Sequence, residues 1–185
     1  MRILGAILAG GQARRFGSDK AAALLSGKPL IAHVREALAG QCDAVAVVGR
    51  EWPGITAVAD LPAPGLGPLG ALAGALAHAE RHGFDAVLTS GCDMPGLPAD
   101  LAARLAPGPA IAEGQPLLGL WPAALAAMLR DHLERGGGRA VRAWAAAAGA
   151  RRVTLPVLPP NINRPEDLAA LAAAIRPPAD PRSSR

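Results

Sequence analysis

Short, unbroken apolar runs alternate along this chain with longer stretches in which apolar positions return every three or four residues. Residues 2–10, RILGAILAG, are almost continuously apolar and end in glycine, the pattern of a strand buried on both faces. Residues 29–40, PLIAHVREALAG, follow with helical spacing, Pro29 at the start and Gly40 at the end. DAVAVVG (43–49) and GITAVAD (54–60) predict two more buried strands. GPLGALAGALAHAERHG (67–83) predicts a helix whose small residues suit close packing on a sheet. DAVLTSGCDMP (85–95) is a further strand ending in a polar turn, and PADLAARLA (98–106) a short helix. This alternation predicts an α/β fold with a mostly parallel central sheet and helices on both faces.

The rhythm then changes. AIAEGQPLLGLW (110–121) has the pattern of a small hairpin excursion, with EGQP (113–116) as its turn. Helices are expected over 122–136 and 139–149, a strand near 151–157 and a last helix over 165–175. The final ten residues, RPPADPRSSR, are polar and Pro-rich, so the domain is drawn over 1–175 and 176–185 is expected to be a disordered tail.

Composition narrows the function classes. A chain of 185 residues, 51% hydrophobic, supports one domain with a real core. The formal charge of +4 owes about half to the tail, where three arginines face one aspartate, and no basic run carries interleaved aromatics. Nucleic acid is therefore not an expected partner. No apolar stretch reaches the ~20 residues of a membrane span, no secretory leader is legible, and two cysteines without a CxxC pattern make neither a disulfide framework nor a zinc site. The expectation is a cytoplasmic protein. Lys20 and Lys28 are the only lysines beside 17 arginines, and Asn161 and Asn163 the only asparagines, which draws attention to all four.

In open parallel sheets ligands sit at the carboxyl ends of the strands, and three loops predicted there carry suggestive residues. The first, LAGGQARRFGSDK (8–20), fits neither GxxxxGK[ST] nor GxGxxG. Gly10 and Gly11 would let backbone N–H groups approach an anion, and Arg14, Arg15 and Lys20 could neutralise a triphosphate; the alternative is a basic turn. In SGCDMP (90–95) Asp93 either holds Mg2+, which takes few protein carboxylates plus phosphate and water, or caps its turn. In ADLPAPGLGPLGAL (59–72) a helix N-terminus points at the same edge. Asp60 there could accept a hydrogen bond from a base or ribose, or bind metal beside Asp93. Asn161 and Asn163, two apart in PNINRPEDL (160–168), would point the same way in an extended segment, or merely order a turn. Cys92 reads as packing. None of the four histidines has convincing metal spacing, and the tryptophans read as core or pocket walls.

Together and in this order, LAGGQARRFGSDK, GKPLIAHV, GPLGALAG, CDMPGLP and NINRPEDL resemble the molybdenum cofactor guanylyltransferases, from Met1 to about Ala174. The resemblance implies a Rossmann-like nucleotidyltransferase fold. It also implies GMP transfer from GTP to molybdopterin, with Mg2+ as cofactor, pyrophosphate as leaving group and molybdopterin guanine dinucleotide as product. Carried over by position, Leu8, Ala9, Gly10 and Gly11 lie in the guanine-nucleotide segment, and Lys20, Asp60 and Asp93 also bind the nucleotide. Asp93 would be the Mg2+ ligand, Lys20, Arg15 and Asp93 the catalytic set, and Asn161 and Asn163 the molybdopterin side. Molybdoenzyme apoproteins or their chaperones would receive the product. One position departs: where the family commonly has asparagine followed by arginine, this chain has Gly49 and Arg50. The rival reading is cytidylyl transfer from CTP, whose relatives tend to have L-A-A-G in place of LAGG and Gly-His-Pro in place of GQP.

Overall fold

The computed structural model describes residues 1–10 and 19–175. The first apolar run forms β1 (Ile3–Leu8), whose burial on both faces accounts for its lack of polar alternation. A 3-10 turn over Lys20–Ala22 leads into a tiny hairpin of β2 (Leu24–Leu25) and β3 (Lys28–Pro29), and α1 (Leu30–Ala39) follows. Next come β4 (Ala44–Val48), β5 (Thr56–Val58), α2 (Pro68–Arg81), β6 (Ala86–Gly91) and α3 (Leu101–Leu105). The second half holds β7 (Ala110–Ala112), β8 (Gln115–Pro122), α4 (Ala126–Glu134), α5 (Val141–Ala147), β9 (Arg151–Val153) and α6 (Pro165–Ile175).

Seven strands make one sheet in the order β5-β4-β1-β6-β8-β7-β9. β1 pairs in parallel with β4 and β6, and β4–β5 and β7–β9 are also parallel. β8 alone runs against its neighbours β6 and β7. Successive residues of each strand feed opposite faces. Leu4, Ala6 and Val87 join Leu72 and Leu76 of α2, Leu129 of α4 and the fully buried Trp144 of α5. Ile3, Ile7 and Leu88 join Ile31, Val34 and Leu38 of α1 and Leu101 of α3 on the other face. The predicted helices on both faces are thus present. With so few aromatics, close approach substitutes for bulk: a Cβ on Gly74 would collide with the carbonyl oxygen of Ala59, so α2 can lie against the segment after β5 only as glycine there. Trp121 and Trp144 are core residues, as expected.

Three features differ from the sequence expectation. The β7–β8 turn is Glu113-Gly114, with Gly114 at φ 81°, while Gln115 and Pro116 already belong to β8. The left-handed glycine allows a tighter reversal than the four-residue EGQP. Pro29 caps α1 from outside and does not open it. The β2–β3 hairpin was not anticipated: Ser26 and Gly27, at φ 52° and 78°, form its turn between two-residue strands. That hairpin supports α6, because Leu25 and Leu30 bury Ile162 and pack with Leu168, Leu171 and Ala172. The tail over 176–185 lies outside the described residues. Among the described residues no helix is long and apolar enough to cross a membrane.

Candidate functional site

β1, β4, β5 and β6 point the same way, so the chain leaves Leu8, Val48, Val58 and Gly91 on one edge of the sheet. There a cleft of about 230 Å³ opens, with Gly10, Lys20, Gly67, Pro68 and Asp93 in its walls. All three loops singled out in the sequence therefore converge. Leu8 and Ala9 line it too, and Ala9 extends the strand pairing by donating its N–H to Val48 at 3.0 Å. Gly11, Arg14 and Arg15 lie outside the described residues.

The centre of the cleft is an ion pair. Lys20 Nζ lies 2.6 Å from Asp93 Oδ2, with the two side chains only 13% and 18% exposed, and donates a second bond to Asn163 Oδ1 at 3.1 Å. Three distant segments meet on one ammonium. Gly91 leaves room for the carboxylate, since a Cβ there would collide with Asp93 Oδ1. The aspartate's backbone is held as well: Ile162 donates its N–H to the Asp93 carbonyl at 2.9 Å. Asp167 then accepts from the N–H groups of Asn163 and Arg164, each at 2.8 Å, closing the α6 N-terminus. Those two N–H groups hold its carboxyl below the usual range. Ile162 is buried, so its neighbours Asn161 and Asn163 both face away from that small core. Asn163 reaches Lys20, whereas Asn161 is exposed and makes no side-chain hydrogen bond among the described residues.

A second ion pair stands beside the first and escaped the sequence reading. Arg50 grips Asp19 with both terminal nitrogens, at 2.7 and 2.6 Å, while its guanidinium carbon lies 5.2 Å from the Trp52 ring centre. Asp19 Oδ1 also accepts the N–H of Ala21 at 3.1 Å, capping the 3-10 turn that carries Lys20. The Arg50 guanidinium pulls the Asp19 carboxyl below its ordinary value, and Asp19 in turn raises Arg50. The available signals were an aspartate directly before the lysine and an arginine directly after β4. Their pairing across 31 positions has no local signature.

Asp60 does not line the cleft itself but lies beside Gly10 and Gly49. A Cβ placed on Gly10 would stand 3.5 Å from Asp60 Oδ2, and one on Gly49 would stand 3.0 Å from Oδ1. Oδ1 is buried with no hydrogen-bond partner among the described residues. Burial pushes this carboxyl up, partly offset by the backbone N–H of Gly65. The departure at Gly49 acquires a physical reason here. Its φ is 84°, and a Cβ would fall 2.6 Å from Gly10 Cα, so a side chain is excluded on both counts.

The donor set suits a magnesium ion held chiefly by its ligand. Among the described residues no three His, Cys, Asp or Glu side chains gather, but Asp93 offers one carboxylate in a cleft beside an ammonium, and Mg2+ is commonly held by one or two carboxylates plus phosphate oxygens and water. Cys92 also lines the cleft; burial first, then the Asp93 carboxylate, pushes its thiol up to about 11. It is a protonated packing group at neutral pH and no nucleophile. His78 and His82 stack on each other at 4.0 Å, away from this cleft.

Comparisons with known proteins bear on the family and the fold. The model of the MobA-like NTP transferase domain matches residues 5–154. A molybdenum cofactor guanylyltransferase of Cereibacter sphaeroides is 38% identical, over 95% of this chain and 98% of its own. One from Rhizobium leguminosarum is 35% identical over 90% of each. Among solved structures, the molybdopterin-guanine dinucleotide biosynthesis protein A of Archaeoglobus fulgidus superposes with a TM-score of 0.74 at 24% identity, covering 92% of this chain and 97% of that one. A 4-diphosphocytidyl-2C-methyl-D-erythritol synthase shares the fold at a TM-score of 0.66 and 13% identity.

Proposed function

The chain belongs to the MobA-like NTP transferase family, and from that membership we propose that it transfers GMP from GTP to molybdopterin, releasing pyrophosphate and forming molybdopterin guanine dinucleotide. The observation that carries this reading is the Lys20–Asp93–Asn163 cluster at the carboxyl edge of the sheet, in a chain whose relatives are named guanylyltransferases over nearly their whole length.

The chemistry follows from charge. Nucleotidyl transfer between two phosphates needs no covalent protein group, because an oxygen of the acceptor phosphate attacks the α-phosphorus directly. The obstacle is bringing two polyanions into line, and fixed cations lower it by neutralising charge that is already in place. Lys20 would bind phosphate oxygens at the junction of donor and acceptor, and Arg15 would take the departing pyrophosphate. Asp19 and Arg50 keep the turn under Lys20 from rotating. Gly10 and Gly49 leave backbone surface for the base, and Asp60 beside them would accept its N–H through Oδ2. Asn163 would orient the acceptor beside Lys20, with Asn161 further along the same wall. Asp93 would be the residue that holds Mg2+, which when bound would supply Lewis-acid activation of the phosphate under attack.

The test is incorporation of radiolabel from GTP and from CTP into molybdopterin. Transfer from GTP with pyrophosphate release is expected, and preference for CTP would overturn the reading. Titration of divalent ions into the same assay tests the magnesium requirement.

A further inference from the structure

The proposed nucleotide site occupies β5, β4, β1 and β6, which leaves the other half of the same edge without a role. β8 runs antiparallel to β6, so its first residues and the Glu113-Gly114 turn come up on the edge where β1 and β6 end. Beyond it, a second cavity of about 180 Å³ is walled by Glu113, Gly114, Pro116, Arg142 and Arg152. The two cavities share a strand. Leu117 lines the nucleotide cleft and its neighbour Pro116 lines the second cavity. Three strand steps separate β6 from β9, or ~14 Å at the usual spacing.

The side chains of this second cavity are unusually free. Neither Arg142 nor Arg152 makes an ion pair or a side-chain hydrogen bond among the described residues. The adjacent Arg151, on the opposite face of β9, is committed to the carbonyls of Leu105 and Pro107 at 3.1 and 2.8 Å. Glu113 accepts from Thr154 Oγ1 through Oε2 at 2.8 Å, which leaves Oε1 without a partner among the described residues. Two guanidinium groups alone would suit a phosphate. A carboxylate in the same small cavity repels a dianion and instead wants N–H donors. A pocket that offers both, beside Pro116 and Gly114, suits a planar heterocycle with N–H groups and a carbonyl on one edge, on which guanidinium groups also stack.

We propose that Glu113, Arg142 and Arg152 bind the pterin ring of the acceptor, Glu113 taking its amino and ring N–H groups and the arginines its carbonyl edge and face. This rests on the guanylyltransferase reading, which makes a pterin the second substrate. The acceptor then lies along β8, its phosphate at Lys20 and its ring system at the hairpin. Recognition of the acceptor is thereby separated from that of the nucleotide by the width of the sheet.

The test is fluorescence titration of the full chain with 6-hydroxymethylpterin, which has no phosphate and reports the ring alone. The Arg142→Ala/Arg152→Ala double variant and Glu113→Gln each remove exposed groups, so the fold should persist; thermal melting and GTP affinity serve as controls. Each variant is expected to weaken pterin binding about tenfold or more, the loss of one charge-assisted hydrogen bond, with GTP binding unchanged. Equal pterin affinity in wild type and variants would overturn the proposal. So would displacement of the pterin by millimolar inorganic phosphate, which would mark an anion site, or a parallel loss of GTP binding. Pterin binding does not depend on which nucleotide is used, so a CTP preference would sink the guanylyl reading, whereas indifference to pterin sinks only this one.

Discussion

The Lys20–Asp93 pair should be a structural bond and a functional group at once, and the two roles separate in a double-mutant cycle. At 2.6 Å and an effective dielectric of about 20, the Coulomb attraction is about 6 kcal/mol. Desolvating two side chains that are 13% and 18% exposed removes much of it, because each buried ion forfeits several kcal/mol of hydration. The net coupling should be about 2 kcal/mol, or ~4–8 °C in melting temperature for a domain of this size. Asp93→Asn and Lys20→Met should each destabilise, since each leaves one charge without its partner. The double variant should recover stability, because no lone ion remains. Urea unfolding of the four proteins gives the coupling energy, and pyrophosphate release in the presence of GTP and molybdopterin gives function. All three variants should be nearly inactive, including the restabilised double. A coupling below about 0.5 kcal/mol would refute the energetic argument. Near wild-type pyrophosphate release from Asp93→Asn would refute the functional one.

Gly49→Ala should cost about 1–2 kcal/mol from the positive φ alone, plus the clash with Gly10, and should weaken GTP binding; urea unfolding and calorimetric titration check both. Asp60→Asn should stabilise the empty protein. Burial raises this carboxyl in the folded state, so its favourable neutral form is present at low pH and is lost as pH rises through the folded value. The melting-temperature advantage of the asparagine should be largest near pH 7 and vanish below the ordinary carboxylate range, while GTP affinity falls at every pH. Asp19 is the opposite case: Arg50 holds it down, so its contribution exists above the ordinary aspartate value and disappears as pH falls through the lowered one. With side chains 28% and 45% exposed, the pair should be worth no more than about 1 kcal/mol. Arg50→Ala should flatten that part of the acid unfolding curve and also raise the KM for GTP by loosening the Lys20 turn.

The parts of this fold that were legible are those in which one local pattern has one structural meaning. β1 and β6 are buried on both faces and read as apolar runs, while α2 and α6 carry helical spacing between clear end signals. Their carboxyl-edge loops could therefore be placed before any contact was known, and Lys20, Asp93 and Asn163 do meet. The β2–β3 hairpin stayed hidden because two-residue strands are too short to show alternation, and its Leu24 is exposed. The Asp19–Arg50 pair stayed hidden because ion pairs between distant segments leave no periodic trace. β8 illustrates a middle case. Its hairpin with β7 was readable, but nothing local announces that β8, rather than β7, pairs with β6 and brings the turn to the ligand edge.

The hydrogen bond from Ile162 to the Asp93 carbonyl also sets a time at which the molecule becomes competent. The four parallel strands that deliver the cleft loops are synthesised by Gly91, yet the Asp93 carbonyl is held by a residue some 70 positions later, and that residue packs with α6 and the β2–β3 hairpin. A nascent chain on the ribosome thus builds the sheet first and acquires a working site only after its last helix has docked. Binding of nucleotide to the native protein and attachment of α6 should for the same reason be coupled. Ligand should protect the amides around Ile162 from hydrogen exchange, and weakening α6 should be felt at the phosphates before it is felt in the core.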